Sequence, residues 1–94
     1  MTAATEFRFP FGDVVTTPGA DALLREHNVA LVRLLARHLS GDWGHVSADE
    51  ARANEVAVEN GNCILSSYPV GGQTVWLITE ADRSATTFLL PDEY

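Results

Sequence analysis

The sequence lacks lysine, has a single cysteine and has no long apolar run. Because Cys63 is alone, no disulfide can form within the chain. The longest apolar stretch, residues 29–36, is interrupted by Arg33 and is far shorter than the ~20 residues that a membrane-spanning helix needs. The first ten residues also lack the basic start and apolar core of a secretion signal. These absences predict a cytoplasmic protein that does not insert into a membrane.

Positive charge is scarce in this chain. Six arginines face 13 acidic residues, which gives a net charge of −7 at pH 7. A negative field repels a phosphate backbone, so we expect no direct nucleic-acid binding and a preference for basic partners. The acidic residues are too sparse for a nucleic-acid mimic, because charged residues make up only 20% of the chain. Their densest stretch, residues 42–59, is typical of a solvated helix face.

Sequence motifs for nucleotides, metals and hydrolytic catalysis are also missing. The chain contains no phosphate-binding loop, no dinucleotide-binding glycine pattern, no serine nucleophile elbow and no His-Glu-x-x-His zinc motif. His27, His38, His45 and Cys63 lack the spacing of a zinc site. We therefore predict no cofactor, no metal and no catalytic residue.

The 94 residues predict one domain, residues 1–94, whose first half is largely helical. Thr17 can cap a helix that starts at Pro18, and Asn28 either ends that helix or starts the next one. A second helical pattern follows, and Gly41 can close it in the left-handed conformation. The leucines of this second helix share one face: Leu31, Leu34, Leu35 and Leu39.

A third helix is predicted over residues 47–61. Ser47 and Glu50 fit a capping box, and Gly61 ends the pattern. The predicted buried stripe of this helix consists of small residues, which let a helix lie close to its neighbour. These residues are Ala53, Val56 and Ala57.

The last third of the chain predicts three strands, over residues 63–70, 73–80 and 85–91. Gly71-Gly72 is a two-residue hairpin signal, and residues 81–84 suit a second tight turn. Near the N-terminus, Phe7, Phe9 and Phe11 alternate as in a strand. Because Pro10 cannot donate a ladder hydrogen bond, this segment is an edge strand at best. We expect an α+β fold, a small antiparallel sheet of three or four strands packed with two or three helices.

Two tight turns would fix the register of the C-terminal meander. Opposite residue numbers then sum to 143 in the first hairpin and to 165 in the second, and side chains alternate between two faces. Both faces are apolar, whereas a sheet with one face exposed to solvent would carry polar side chains on that face. One face carries Ile64, Tyr68, Val75, Leu77, Phe88 and Leu90. The other carries Leu65, Trp76, Ile78 and Leu89, with Cys63, Ser67, Glu80 and Thr87 around them.

Two explanations of the second apolar face are open at this point. Helices could cover one face and the segment 7–11 the other. Alternatively, the face with Trp76 meets a second chain, since tryptophan is enriched at interfaces. We take Leu65, Trp76, Ile78 and Leu89 as the candidate interaction face, used for a homodimer or for another protein partner.

His38 and a charged turn are the candidate polar sites. His38 lies on the apolar face of its helix, as either a core histidine bonded to a neighbour such as Asp42 or a general base oriented by that carboxylate. The absence of a nucleophile beside it favours the core role. Glu80, Asp82 and Arg83 form either a solvated turn or a catalytic carboxylate pair. The lack of an evident pocket favours the turn.

Three stretches together resemble a family of small bacterial proteins, often labelled plasmid-related, that occur on plasmids and integrative elements. They are TTPGA at residues 16–20, LARHLSGDWG at 35–44 and VWLITEADRSATTFLLPDEY at 75–94. Some relatives are labelled as a restriction-modification methyltransferase subunit. The present sequence opposes that label, because it lacks a glycine-rich loop and an Asn-Pro-Pro-aromatic motif and is too short for that fold.

Three hypotheses about function follow. The first is a non-enzymatic interaction protein, homodimeric, with the accessory role in a mobile element that the resemblance implies. The second is an inhibitor of host defence that binds a restriction or CRISPR component through its acidic side. The third is a small enzyme that uses His38 with Asp42 or Arg83.

Overall fold

The computed structural model describes residues 7–94. It forms a four-stranded sheet with three helices, which confirms the predicted small α+β fold. Within these residues, none of the helices has the length and apolar character of a membrane span. The elements are β1 (Asp13–Thr16), α1 (Pro18–Glu26), α2 (Leu31–Leu39), α3 (Ala48–Asn60), β2 (Ile64–Val70), β3 (Gln73–Thr79), β4 (Ala85–Leu89) and a 3₁₀ turn (Pro91–Glu93).

The strands lie side by side in the order β1-β4-β3-β2. β2, β3 and β4 form the predicted antiparallel meander, but β1 pairs with β4 in parallel. The sheet is therefore mixed, and the prediction of an antiparallel sheet is wrong at this strand. Tight turns make consecutive strands antiparallel, whereas all three helices and two strands separate β1 from β4 along the chain.

The segment with alternating phenylalanines is not a strand, because the N-terminal strand begins only at Asp13. The Arg8 N–H donates to the Leu39 carbonyl at 2.8 Å, which ties this segment to the helices. Phe9 is buried there, with its ring stacked on Trp43. Gly12, with φ +62, then brings the backbone so close to Ser84 that no larger residue fits.

The helix boundaries follow the predicted signals. The Thr17 hydroxyl accepts from the Ala20 N–H at 3.2 Å to cap α1, and Asn28, with φ 57, breaks the chain direction before α2. Gly41 takes the predicted left-handed conformation after α2, with φ 95. The α2 leucines that are buried are Leu34, Leu35 and Leu39.

The third helix has the predicted caps but buries a different stripe. Ser47 and Glu50 form the capping box, and Gly61 is left-handed. Val56 is 49% exposed, whereas Asn54 and Ala57 are buried. The predicted stripe is confirmed at Ala57 but wrong at Ala53 and Val56, because the Asn54 amide bonds to the backbone of β2 and so orients the Asn54 side of the helix toward the sheet.

The register of the meander is the predicted one. Leu77 lies opposite Ser66 on β2 and opposite Phe88 on β4, as the sums of 143 and 165 require. The second connection is longer than the two-residue turn that we assumed, since residues 80–84 lie outside the strands. The register survives because the Glu80 N–H still donates to the Ala85 carbonyl at 3.0 Å, so this pair keeps the sum of 165. One sheet face packs on the helices, with Ile64, Tyr68, Val75, Leu77 and Phe88 fully buried.

Candidate protein-binding face

The opposite sheet face carries the side chains predicted for interaction. Leu65, Trp76, Ile78 and Leu89 lie together on β2, β3 and β4, with Thr87 beside them. We call these five residues the Trp76 face. They line a groove of about 590 Å³. Leu65, Trp76 and Ile78 keep part of their surface in solvent. The structure thus brings the four predicted apolar residues onto one concave surface.

The segment 7–11 does not cover this groove. Phe9 packs edge to face against His38, with ring centroids 5.3 Å apart, and His38 belongs to the helix side of the sheet. That explanation of the second apolar face is therefore wrong. Tyr94 does reach the groove, where its ring lies edge to face with Trp76 at 5.9 Å. Tyr94 is itself 85% exposed, so it shields only one end of the groove.

Glu93 holds the 3₁₀ turn that carries Tyr94. Its carboxylate accepts from the Thr17 hydroxyl at 2.5 Å, from the Gly19 N–H at 3.1 Å and from the Leu90 N–H at 2.8 Å. The hydrogen bond from Thr17 is the main reason that the pKa of Glu93 is lowered, so this carboxylate is charged at neutral pH. Glu93 thereby joins the end of the described chain to the first turn of α1.

The rim of the groove is acidic. Glu80 and Glu93 line it, and no arginine of residues 7–94 does. Most arginines bind other parts of the chain instead. Arg83 donates to backbone carbonyls at the end of α3. The ion pairs are Arg8–Glu55, Arg25–Asp21, Arg37–Asp42 and Arg52–Asp49. Within residues 7–94, neither groove carboxylate forms an ion pair, although Arg83 donates to the backbone carbonyl of Glu80 at 3.1 Å.

His38 is a core residue. It is fully buried, with Nδ1 at 2.6 Å from the Ser66 hydroxyl and Nε2 at 2.8 Å from the Thr79 hydroxyl. Burial lowers the pKa of His38 to about 4. The predicted partner is wrong, because Asp42 pairs with Arg37 at 2.7 Å rather than with His38. A buried imidazole held by two hydroxyls cannot reach a substrate, so the structure does not assemble the general base.

The charged turn does not form a carboxylate pair either. The Arg83 guanidinium donates to the Ala57 carbonyl at 2.8 Å and to the Asn62 carbonyl at 2.7 Å, and so closes the end of α3. The Asp82 carboxylate accepts from the Ser84 N–H at 3.0 Å within its own turn. Glu80 lines the groove instead. The side chains of Glu80, Asp82 and Arg83 therefore form no shared polar site, although Arg83 also donates to the Glu80 backbone carbonyl at 3.1 Å.

Thr17, Glu93 and Tyr94 are site residues that sequence reasoning missed. Pro91 signals a short turn after β4, but only the parallel placement of β1 brings that turn to the start of α1. Within residues 7–94, no three His, Cys, Asp or Glu side chains are placed to hold a metal ion. No protein-family model, curated protein or solved structure matches this chain.

Proposed function

We propose that this chain is a non-enzymatic protein-binding domain, and that the Trp76 face receives a segment of a partner protein. The supporting observation is the apolar groove of about 590 Å³ on the sheet face away from the helices, shielded at one end by Tyr94. Tryptophan and neighbouring aliphatic side chains in a partly closed groove are the usual anchors of an interface, because they lose water over a large area.

The acidic rim specifies the chemistry of the partner. Glu80 and Glu93 flank the apolar floor, and within residues 7–94 neither carboxylate is in an ion pair with an arginine. A partner segment with an apolar side chain for the groove and lysine or arginine on either side would complement both features. A second copy on this face would instead bring the same carboxylates together, which costs binding energy. The proposed occupant is therefore a basic-apolar segment of another protein.

The resemblance to plasmid-related proteins supplies the proposed setting, an accessory role for a mobile element. Inhibition of a host defence protein is a second candidate function. Proteins that bind nucleic acids present lysine and arginine to phosphates, and the acidic rim of the groove fits such a surface. In both cases the partner would be held by the same groove through the same chemistry.

A random peptide library displayed on phage, panned on the immobilised protein, tests this proposal. We expect the retained peptides to share an apolar residue flanked by basic ones, and Trp76→Asp to lose them. The control is Val32→Asp, which changes a 66% exposed valine on α2, away from the groove. Retained peptides that bind Trp76→Asp as well as wild type, or a library without any Trp76-dependent peptide, would refute the proposal.

The contribution of charge can be measured on the peptides that are retained. Glu80→Gln removes a rim carboxylate without changing its size, so a basic peptide should bind several-fold more weakly, with a smaller dependence on salt. If wild type and Glu80→Gln bound the peptide with equal affinity at low salt, a basic partner would be contradicted, whereas an apolar partner would not.

A further inference from the structure

The two outer strands of the sheet differ in whether the backbone groups at their free edges are hydrogen-bonded. On β2, the Asn54 amide bonds to both the N–H and the C=O of Leu65, at 3.1 and 2.7 Å. Ser67 donates its N–H to the Trp43 carbonyl at 3.0 Å and accepts from the His45 N–H at 2.7 Å. The next outward position is Pro69, which has no N–H. The edge of β2 is therefore closed against another strand.

The edge of β1 is open. The Asp13 N–H donates to the Ser84 carbonyl and the Thr17 N–H to the Phe88 carbonyl. The backbone N–H and C=O groups of the odd-numbered residues of this strand therefore face β4. Backbone groups alternate in direction along a strand, so those of Val14 and Thr16 point away from the sheet. Within residues 7–94, no group bonds to them there. An unpaired edge of this kind is a template for another strand.

We infer that β1 pairs with β1 of a second copy of this chain, antiparallel about a two-fold axis at Val15. In this register Val14 of each copy lies opposite Thr16 of the other, and each such pair exchanges both N–H···O bonds. The two Val15 side chains, each 46% exposed, then meet across the axis. Asp13 lies opposite the uncharged Thr17 of the other copy, whose hydroxyl donates to Glu93, so the nearest like charge across the interface is that carboxylate.

The sequence of β1 favours its own copy as the occupant. Three consecutive β-branched residues, Val14, Val15 and Thr16, suit strand pairing on both faces. The four-residue strand contains no proline or lysine, two of the usual protections of an exposed edge, and its one charged residue, Asp13, lies at the end away from the two-fold axis. The resulting two-fold axis is perpendicular to the sheet and leaves both Trp76 faces on the same side. This dimer does not depend on the proposed function; it meets each groove only at Thr17 and leaves Leu65, Trp76 and Ile78 uncovered.

Sedimentation of the whole protein over a range of concentrations tests the dimer. Val14→Pro removes an N–H that points outward and leaves the bonds to β4 intact, yet takes away half of the bonds between the copies. We expect the dissociation constant to rise by at least about tenfold. Val15→Lys places like charges across the axis and should weaken the dimer similarly. Val32→Lys and Trp76→Asp are the controls that should leave it unchanged.

Amide hydrogen exchange provides a readout at the edge itself. In the proposed dimer, the N–H groups of Val14 and Thr16 become protected as the protein concentration rises, and in Val14→Pro the protection of Thr16 requires a concentration at least about tenfold higher. A wild-type protein that stays monomeric up to about 1 mM would overturn the inference. A dimer that tolerates Val14→Pro and is lost in Trp76→Asp would overturn it as well, because the copies would then meet through the groove.

Discussion

The imidazole Nδ1 of His38 lies 2.6 Å from the hydroxyl oxygen of Ser66, deep between α2 and β2. The other ring nitrogen contacts Thr79, whose hydroxyl lies 2.7 Å from that of Thr86, and Thr86 donates to the Phe11 carbonyl. A neutral imidazole satisfies such hydroxyl partners, whereas a charged one would need an acid beside it. The core is therefore built around an uncharged histidine.

We predict that the stability of the protein falls between pH 6.5 and pH 4 because of His38. Its pKa is about 4 in the fold and 6.5 in an unfolded chain, so the unfolded state binds the proton first. The stabilisation is complete above pH 6.5 and is lost as the pH approaches 4, in total about 3 kcal/mol. Urea unfolding at a series of pH values measures this loss.

The control for this prediction is His38→Gln, which keeps a polar side chain but does not titrate. It should be less stable at neutral pH and should lose less of its remaining stability between pH 6.5 and pH 4. An unchanged loss in this variant would assign the acid sensitivity to other groups.

Asn54 is predicted to contribute strongly to stability although it is a polar helix residue. Its amide satisfies both backbone groups of Leu65, so Asn54→Ala leaves a donor and an acceptor without partners next to the core. We expect a loss of about 1–3 kcal/mol in the free energy of unfolding, measured by urea titration. Asn60→Ala, at an exposed position of the same helix, should have little effect. Equal effects would mean that the amide pairing is not maintained in solution.

Local signals explain why so much of this fold follows from the sequence. The capping box at Ser47 and the glycine turn at Gly71 involve residues that are close in the chain, so each can be recognised without knowing the rest of the structure. The hairpin turn also fixes the register, which places Trp76 and Leu65 on one face. The candidate interaction face was therefore predictable as a set of residues.

Long-range relationships could not be predicted in the same way. β1 has no tight turn that links it to β4, so neither its parallel direction nor its start at Asp13 has a local signal. The burial of Asn54 depends on the position of the Leu65 backbone, which the sequence does not reveal. The pattern of apolar residues alone predicts that Val56 is buried, whereas it is exposed. The acidic rim at Glu93 likewise depends on the distant Thr17.

Glu93 is predicted to hold Tyr94 against Trp76. Glu93→Gln places an amide group where the Gly19 N–H now finds an acceptor, so at least one of the three hydrogen bonds is lost. We expect a melting temperature lower by a few degrees and weaker nuclear Overhauser contacts between the Tyr94 and Trp76 rings. Asp92→Asn, the neighbouring change of charge, should leave both unchanged. Contacts that persist in Glu93→Gln would show that Tyr94 stays in place without this carboxylate.

The last prediction concerns the loop that closes the edge of β2. Gly44 has φ +75, and a Cβ atom there would lie 2.1 Å from the Ser67 carbonyl oxygen. Gly72 has a similar φ of +81 but open space around it. Both alanine variants bear the cost of a left-handed conformation, about 1 kcal/mol, and Gly44→Ala must also push the loop off the strand.

We therefore expect unfolding free energies lower by about 1 kcal/mol for Gly72→Ala and by about 3 kcal/mol or more for Gly44→Ala. Hydrogen exchange separates the two effects, because Gly44→Ala should also expose the His45 N–H that now donates to Ser67 at 2.7 Å. Equal losses of stability, with the His45 amide still protected, would mean that the loop can retreat from the strand at no cost. In that case the edge of β2 would not be closed as firmly as its hydrogen bonds indicate.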